Sequence, residues 1–260
     1  MRETPRPQET AGDAAHTTGA PGSGTPHRSD GRPPHTPRGA RHTGPAGHFG
    51  TIPPVPGWPV LFLAVLPLLA LFALTTWQVV TGGPLLGPDE RTGLALAGRG
   101  PARLADLCSD LGNPQVALPV LCCALAYALA RGARRMPLYA VLTMAAVPLL
   151  VVPLKMWTDR QGPLTEATGY YPSGHTATAA VAYGAAALLL SPYPARAWSW
   201  WVPVAAVLLT AATGTGLVLR GYHWPLDVLG SLWLAGALLS ALWWFSRRSR
   251  SRSSSRTPRR

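Results

Sequence analysis

The sequence has very few charged residues between its two ends. Only one lysine, Lys155, occurs in 260 residues, and only two of the seven histidines, His175 and His223, lie beyond residue 55. Asp227 is the only acidic residue after Glu166. Charged side chains are costly near apolar membrane helices, so isolated ones are candidates for a functional role. This scarcity directs attention to the segment between Lys155 and Asp227.

Cysteine is also scarce, and no secretory signal is predicted. The three cysteines, Cys108, Cys122 and Cys123, provide no disulfide framework. The last two are adjacent in an apolar run, which favours buried free thiols. The first apolar run begins too late for a signal peptide. The net charge of +12 comes largely from the two ends, so it does not indicate a basic folded surface, and no nucleic-acid partner is expected.

Both ends of the chain are predicted to be disordered. Residues 1–55 are rich in Pro, Gly, Thr, Arg and His, and they have too few apolar residues to form a core. Five histidines fall in this tail, but their irregular spacing favours a solvated low-complexity segment over a metal site. Residues 247–260 alternate Arg with Ser. The predicted folded domain is therefore residues 56–246.

This domain contains six apolar segments that predict membrane spans, since roughly 20 apolar residues are needed to cross a bilayer. Between the first two, residues 82–113 carry leucines at the spacing of a short interfacial helix, interpreted as a packing element rather than the wall of a lipid entrance. The predicted fold class is all-α, an integral membrane six-helix bundle with a short interfacial helix and disordered tails. The predicted spans are residues 57–81, 114–132, 136–154, 175–190, 198–219 and 225–245.

The distribution of arginine predicts the orientation in the membrane, because Lys and Arg are enriched in cytoplasmic loops. With six spans, both basic tails and the Arg-rich link at residues 131–135 lie on one side, and Arg196 agrees with this side. The loops at 155–174 and 220–224 then lie together on the other side. The sequence therefore predicts a multi-pass cell-membrane protein with both termini cytoplasmic and these two loops extracytoplasmic.

These two loops contain the side chains needed for phosphoryl transfer. Cationic side chains such as Lys155 can bind a phosphate dianion. An imidazole can attack phosphorus or transfer a proton near neutral pH. Asp227 follows His223 by four residues, so the two side chains share a helix face, which fits either a catalytic pair or a structural pair. Nearby, Tyr222 and Trp224 are interpreted as anchors at the membrane interface.

The motifs resemble those of the type-2 phosphatidic acid phosphatase superfamily, also called lipid phosphate phosphatases. That family carries K-x6-RP, then PSGH, then SR-x5-H-x3-D. Here PSGH is intact at residues 172–175, and His223 and Asp227 complete H-x3-D. Lys155 and Pro163 occupy the two ends of the first motif. The resemblance covers roughly the last two-thirds of the chain.

The sequence departs from the family pattern at two arginine positions. Gly162 stands where the first motif has its arginine. Leu217 stands where the third motif has its arginine, and Gly216 replaces the preceding serine. Arg160 and Arg220 lie close by in sequence and are predicted to replace the missing cations.

The resemblance implies a metal-independent membrane phosphatase that forms a phosphohistidine, with no cofactor. In this interpretation His223 attacks phosphorus, Asp227 orients it, and His175 protonates the leaving oxygen. The implied phosphate ligands are Lys155, Arg160, Ser173, Gly174 and Arg220.

The membrane setting implies a phosphorylated lipid as substrate, either a phosphatidate-type lipid or a polyprenyl pyrophosphate. One alternative is a lipid-linked phosphotransferase. Another is a catalytically degenerate binding or scaffold protein of the same fold, which Gly162 and Leu217 favour. A transporter is disfavoured because the charged groups cluster at one membrane face.

Overall fold

The computed structural model describes residues 58–193 and 200–254. The predicted disorder of residues 1–55 lies outside the described residues. All regular secondary structure in the described part of the chain is α-helical, with no strand, which confirms the predicted all-α fold class. Its helices are α1 (Trp58–Thr81), α2 (Leu86–Leu96), α3 (Ala102–Asp110), α4 (Pro114–Ala130), α5 (Arg135–Thr158), α6 (Gly174–Leu190), α7 (Trp201–Leu219) and α8 (Pro225–Ser254).

Several of these helices are long and apolar enough to cross a membrane. Helices α1, α5, α7 and α8 each meet this criterion alone, and α3 with α4 forms a fifth candidate bent by 47°. Helix α6 is a shorter apolar helix of 17 residues. The multi-pass architecture is confirmed, whereas the count of six spans stays a prediction.

Helix α6 is the central helix of the bundle. Most of its residues are buried, and it packs against α4, α5, α7 and α8. Its small residues allow this close approach. For example, a Cβ placed on Gly184 would lie only 2.5 Å from Leu239 Cδ1. The surrounding helices therefore shield most of α6 from its environment.

The structure corrects the prediction of buried thiols. Helix α4 buries Ala117, Leu121, Ala124 and Ala128, which recur at helical spacing along one face. Cys122 and Cys123 lie off this face and are exposed, and all three cysteines are free.

Helix α8 is longer than predicted. The predicted span ends at residue 245 and the tail after it was expected to be disordered, but the helix continues to Ser254. Each residue added to an existing helix gains a backbone hydrogen bond without a new nucleation cost. The first proline after Pro225 is Pro258, so no helix breaker of this kind interrupts residues 247–254. Residues 255–260 lie outside the described part.

The region at residues 82–113 forms two helices rather than one. Helix α3 packs against α7, where a Cβ placed on Gly216 would lie 2.6 Å from the backbone nitrogen of Ser109. Helix α2 packs against α8, where a Cβ on Gly93 would lie 2.6 Å from the Trp224 ring. The two glycines therefore let the short helices dock on the bundle.

Hydrogen bonds join the helix ends that carry the motifs. The Ser173 N–H donates to the Asp227 carbonyl at 3.1 Å, and the Ser231 hydroxyl donates to the Ser173 carbonyl at 2.8 Å. Tyr171, just before them, donates to or accepts from Thr76 of α1 at 2.8 Å. The start of α6 is thus fixed to the start of α8 and to α1.

Candidate active site

His223 and Asp227 form a buried pair at the start of α8. His223 Nδ1 lies 3.2 Å from Asp227 Oδ2, and the Asp227 side chain has no exposed surface. With Asp227 accepting from Nδ1–H, the lone pair of the imidazole resides on Nε2. The same carboxylate oxygen accepts the Trp224 backbone N–H at 3.0 Å. The carboxylate therefore fixes the ring and leaves one nitrogen able to act as a nucleophile or base.

Arg160 is in direct contact with this pair. Its Nη1 donates to Asp227 Oδ1 at 2.6 Å, and its Nη2 donates to Asp89 Oδ2. Only 7% of the side chain is exposed, and the guanidinium lies 5.6 Å from the centroid of the Trp224 ring. These contacts differ from the phosphate contacts predicted for Arg160, because its guanidinium bridges two carboxylates.

Asp89 of α2 is a member of the cluster that the sequence did not indicate. Its Oδ1 accepts the backbone N–H of Leu226 at 2.8 Å, so it caps the first turn of α8 from another helix. Burial raises the pKa of the Asp89 carboxyl, while the hydrogen bond and positive charge of Arg160 act in the opposite direction. The sequence offered only a weak signal: an acid in an otherwise unassigned short helix.

Ser173 is the N-cap of α6. Its hydroxyl oxygen accepts from the Thr176 N–H at 3.3 Å and from the Thr176 hydroxyl at 3.0 Å. Such a cap satisfies one of the unpaired N–H groups at a helix start. The Ser173 side chain and its backbone N–H are therefore both used within the protein, whereas Gly174 is the first residue of α6, a position whose N–H has no intrahelical partner.

Lys155 and His175 lie beside this helix start. A Cβ placed on Gly174 would lie 3.8 Å from Lys155 Cε, and Lys155 Nζ donates to the Gly169 carbonyl at 2.6 Å. His175 is exposed and interacts electrostatically with His223 and Lys155. The structure thus brings the lysine and both histidines to one end of the bundle, as the motif order predicts.

The position of the first missing arginine is closed by an aromatic ring. A Cβ placed on Gly162 would lie 2.6 Å from the Tyr170 ring. That ring packs edge-on against His223, with ring centroids 5.5 Å apart. Tyr170 is a second residue that sequence reasoning missed, and its presence explains why a side chain at position 162 does not fit.

The position of the second missing arginine lies in the packed interior. Leu217 is 2% exposed, and its carbonyl accepts from the Tyr222 N–H at 2.9 Å. Arg220, the predicted replacement, instead lies with Nε 2.6 Å from Asp106 Oδ1. Its N–H is poorly aligned for a hydrogen bond, so this partly exposed pair is mainly Coulombic. The contacts of Arg220 therefore run to α3 and Tyr222, away from the predicted clamp.

The structure corrects the interpretation of Trp224 as an interface anchor. Trp224 is only 8% exposed, and its indole N–H donates to the Gln161 carbonyl at 2.8 Å. Tyr222 is 46% exposed, which remains consistent with an anchor. Trp224 is buried because α2 packs over it at Gly93.

Tyr171 ties the PSGH segment to the first helix. Its hydroxyl lies 3.1 Å from the Thr75 hydroxyl as well as against Thr76, and its ring stacks with Phe72 at 6.4 Å. Burial raises the pKa of the Tyr171 phenol, which keeps it neutral and able to donate. This anchor connects the motif segment to a helix outside the motifs.

Comparison with known proteins agrees with the motifs. Residues 136–251 match the family model described as the PAP2 superfamily. The chain is also similar to a solved structure described as the first transmembrane PAP2 type phosphatidylglycerolphosphate phosphatase from Bacillus subtilis. That similarity has 22% identity and a TM-score of 0.63, and it covers 75% of this chain and 99% of that chain. No curated protein matches this chain. The resemblance recognised from PSGH and H-x3-D is thereby confirmed: residues 136–251 match the PAP2 superfamily model, and the helical fold is similar to that of a solved transmembrane PAP2-type protein.

Proposed function

We propose that this protein is a membrane phosphatase that hydrolyses a phosphomonoester or pyrophosphate of a lipid through a phosphohistidine intermediate. The observation that carries the proposal is the His223–Asp227 pair at 3.2 Å. It lies at the same end of the bundle as Lys155, His175 and the start of α6. A nucleophile oriented by a carboxylate, next to a cation and a second imidazole, is suited to phosphoryl transfer.

In the proposed first step, His223 Nε2 attacks phosphorus and the bond from phosphorus to the lipid oxygen breaks. His175 donates a proton to that oxygen, so the lipid leaves as a neutral alcohol or, from a pyrophosphate, as a monophosphate. In the second step, His175 accepts a proton from water as the water oxygen attacks phosphorus. The phosphorus–nitrogen bond then breaks, which releases phosphate and restores His223.

The phosphate clamp that we propose consists of Lys155 and the N-terminus of α6. The Lys155 side chain lies beside Gly174, and the dipole of α6 favours an anion at its first turn. Arg160 bridges two carboxylates and Arg220 faces one, so both cations already compensate negative charge within the protein and are left out of this clamp. Ser173 contributes by capping α6, and its hydroxyl proton is its remaining donor.

Apolar side chains near Lys155 support a lipid substrate. Met156 and Trp157 in the last turn of α5 are 78% and 63% exposed, and Leu164 in the following loop is 66% exposed. Exposed apolar residues beside a polar site fit a substrate with an acyl or prenyl chain. The similar solved structure is described as a phosphatidylglycerolphosphate phosphatase, which supports a lipid phosphomonoester.

Phosphate release by purified protein in lipid nanodiscs tests the proposal. The substrates are phosphatidate, phosphatidylglycerol phosphate and a polyprenyl pyrophosphate. We expect His223→Ala to lower the rate by more than about a thousandfold, because no other group then forms the covalent intermediate. The matched control, His48→Ala, removes a histidine from the N-terminal tail and should keep the wild-type rate. Equal rates for the two variants would contradict the proposal.

A second candidate is a membrane protein of this fold that binds lipid phosphates without hydrolysing them. The buried bridge between Arg160 and two carboxylates favours it, because this cation is committed to partners inside the protein. In the same assay this candidate predicts binding of lipid phosphate vesicles with no release of phosphate by the wild type.

A further inference from the structure

Four buried side chains form a continuous series of contacts that ends at the proposed nucleophile. Asp89 contacts Arg160 Nη2, Arg160 Nη1 donates to Asp227 Oδ1 at 2.6 Å, and Asp227 Oδ2 lies 3.2 Å from His223 Nδ1. Their side chains are 2% (Asp89), 7% (Arg160), 0% (Asp227) and 8% (His223) exposed. Solvent therefore screens these charges weakly, and each depends on its neighbours for compensation.

Asp89 is the member of this series of contacts that is farthest from His223, and it lies outside residues 136–251. Its two oxygens have separate partners: Oδ1 accepts the Leu226 N–H at 2.8 Å, and Oδ2 accepts from Arg160. The first contact holds α2 against the start of α8. The second divides the positive charge of Arg160 between two carboxylates, so that Arg160 does not neutralise Asp227 alone.

We infer that Asp89, acting through Arg160, is a positioning residue that keeps Asp227 able to orient His223 and stabilise its positively charged form. This inference rests on the proposed function. With Asp89 present, two carboxylates share one guanidinium, and the remaining negative charge favours the imidazolium that forms during phosphoryl transfer. Without the charge of Asp89, the guanidinium neutralises Asp227 and that stabilisation weakens.

Other charged and titratable groups surround the His223–Asp227 pair, and they lie outside the two hydrogen bonds of Asp89. They are Lys155 of α5, Tyr170 and Tyr171 of the α5–α6 loop, and His175 of α6. A substitution at Asp89 that keeps the hydrogen bond to Leu226 is therefore expected to change mainly the charge that faces Arg160.

The test uses Asp89→Asn, which keeps an oxygen to accept the Leu226 N–H but removes the charge. The matched control is Glu90→Gln on the same helix, because Glu90 is exposed. Diethyl pyrocarbonate acylates a histidine side chain only when the imidazole is unprotonated. Cleavage after Arg220 and Arg247 yields the peptide of residues 221–247, in which His223 is the only histidine. Mass spectrometry of this peptide gives the pH of half-maximal modification without any need for activity.

We expect Asp89→Asn to move the pH of half-maximal modification to a lower value, because removing a negative charge disfavours the imidazolium. We also expect kcat to fall about tenfold with little change in KM, the loss typical of one charge-assisted hydrogen bond. Glu90→Gln should change neither. An unshifted modification profile in folded Asp89→Asn protein would overturn the inference.

Arg160→Lys provides an independent variant if Asp89→Asn fails to fold. Lysine keeps the charge but cannot bridge two carboxylates as a planar guanidinium does, so kcat should fall while KM stays unchanged. A raised KM with normal kcat would instead make Arg160 a phosphate ligand and overturn the inference.

The two proposals fail separately in these measurements. If the wild type releases no phosphate while Asp89→Asn still shifts the modification profile, the proposed function is wrong and the positioning role stands. If His223→Ala abolishes activity while the profile does not shift, the positioning role is wrong and the function stands.

Discussion

His175 and His223 differ in surroundings, and the difference predicts separate roles. His223 is 7% exposed and pairs with a carboxylate, whereas His175 is exposed at the positive end of the α6 dipole. A fixed, buried imidazole suits nucleophilic attack. An imidazole that reaches solvent beside a helix N-terminus suits proton donation to the leaving oxygen and later proton removal from water.

These roles predict different responses to the leaving group. We expect His175→Ala to slow hydrolysis of a lipid phosphate by about a hundredfold or more, the typical contribution of a general acid. It should lower kcat/KM, which reports formation of the phosphohistidine, much less for p-nitrophenyl phosphate, because p-nitrophenolate leaves without a proton. His223→Ala should slow both substrates alike. Equal effects of His175→Ala on kcat/KM for both leaving groups would contradict its role as the general acid.

At the scale of single residues, the sequence indicates those candidate site residues that belong to a distinctive local motif. PSGH and H-x3-D identified Ser173, His175, His223 and Asp227 because their spacing is local. Asp89 could not be found in this way, since its contact with Arg160 joins residues 71 positions apart. The predicted phosphate contact of Arg160 rests on its proximity to Gly162 in sequence, whereas its observed contact with Asp89 depends on the docking of α2, which no local pattern predicts.

At the scale of helices, close packing between α3 and α7 explains one departure from the family motif. A Cβ at Gly216 would lie 2.6 Å from Ser109 N and 2.7 Å from the Ala105 carbonyl oxygen. Backbone atoms cannot move aside as a flexible side chain can. A serine at this position, as in the family pattern, therefore requires α3 to move away from α7.

This packing predicts that Gly216→Ser destabilises the protein by about 1–3 kcal/mol, the usual cost of overpacking. The measurement is the midpoint of thermal unfolding in detergent. Gly87→Ala is the control, because Gly87 lies in α2 and the nearest atom to an added Cβ is Arg91 Nη2 at 3.8 Å. It should be neutral or slightly stabilising, since alanine favours helix more than glycine. Equal midpoints for Gly216→Ser and the wild type would show that α3 moves away from α7 at little cost in stability, which would contradict this prediction.

The positions of the helices could be predicted from the apolar runs, whereas the helix ends and the exposure of side chains could not. The predicted spans at 57–81 and 136–154 correspond to α1 and α5, because an apolar run of this length leaves few alternatives. Lys155 falls within the last turn of α5, since one charge near an end does not stop a helix. The exposure of Cys122 and Cys123 depends on which face of α4 packs inward, which an almost uniformly apolar helix does not encode.

For the whole molecule, the proposed catalytic groups and the Arg-rich link at residues 131–135 lie at opposite ends of the helices. The site gathers the end of α5 and the starts of α6 and α8, whereas the arginines at 131–135 join the opposite ends of α4 and α5. A helix of 17 residues spans about 25 Å, less than a hydrocarbon core of about 30 Å. Burial of most of α6 by neighbouring helices would allow it to span the membrane despite this mismatch.

Whether α6 crosses the membrane decides on which sides the loops and the C-terminus lie, and cysteine labelling tests this topology. If α6 spans, Glu166 after the third span and Ser254 after the sixth lie on opposite sides. If it does not, five spans place both on the same side. In protein whose Cys108, Cys122 and Cys123 are replaced by alanine, we expect a membrane-impermeant maleimide to label Glu166→Cys in intact cells. Ser254→Cys should label only after lysis, because basic segments favour the cytoplasm. Labelling of both positions in intact cells would contradict a spanning α6 and, with it, an extracytoplasmic site opposite the C-terminus.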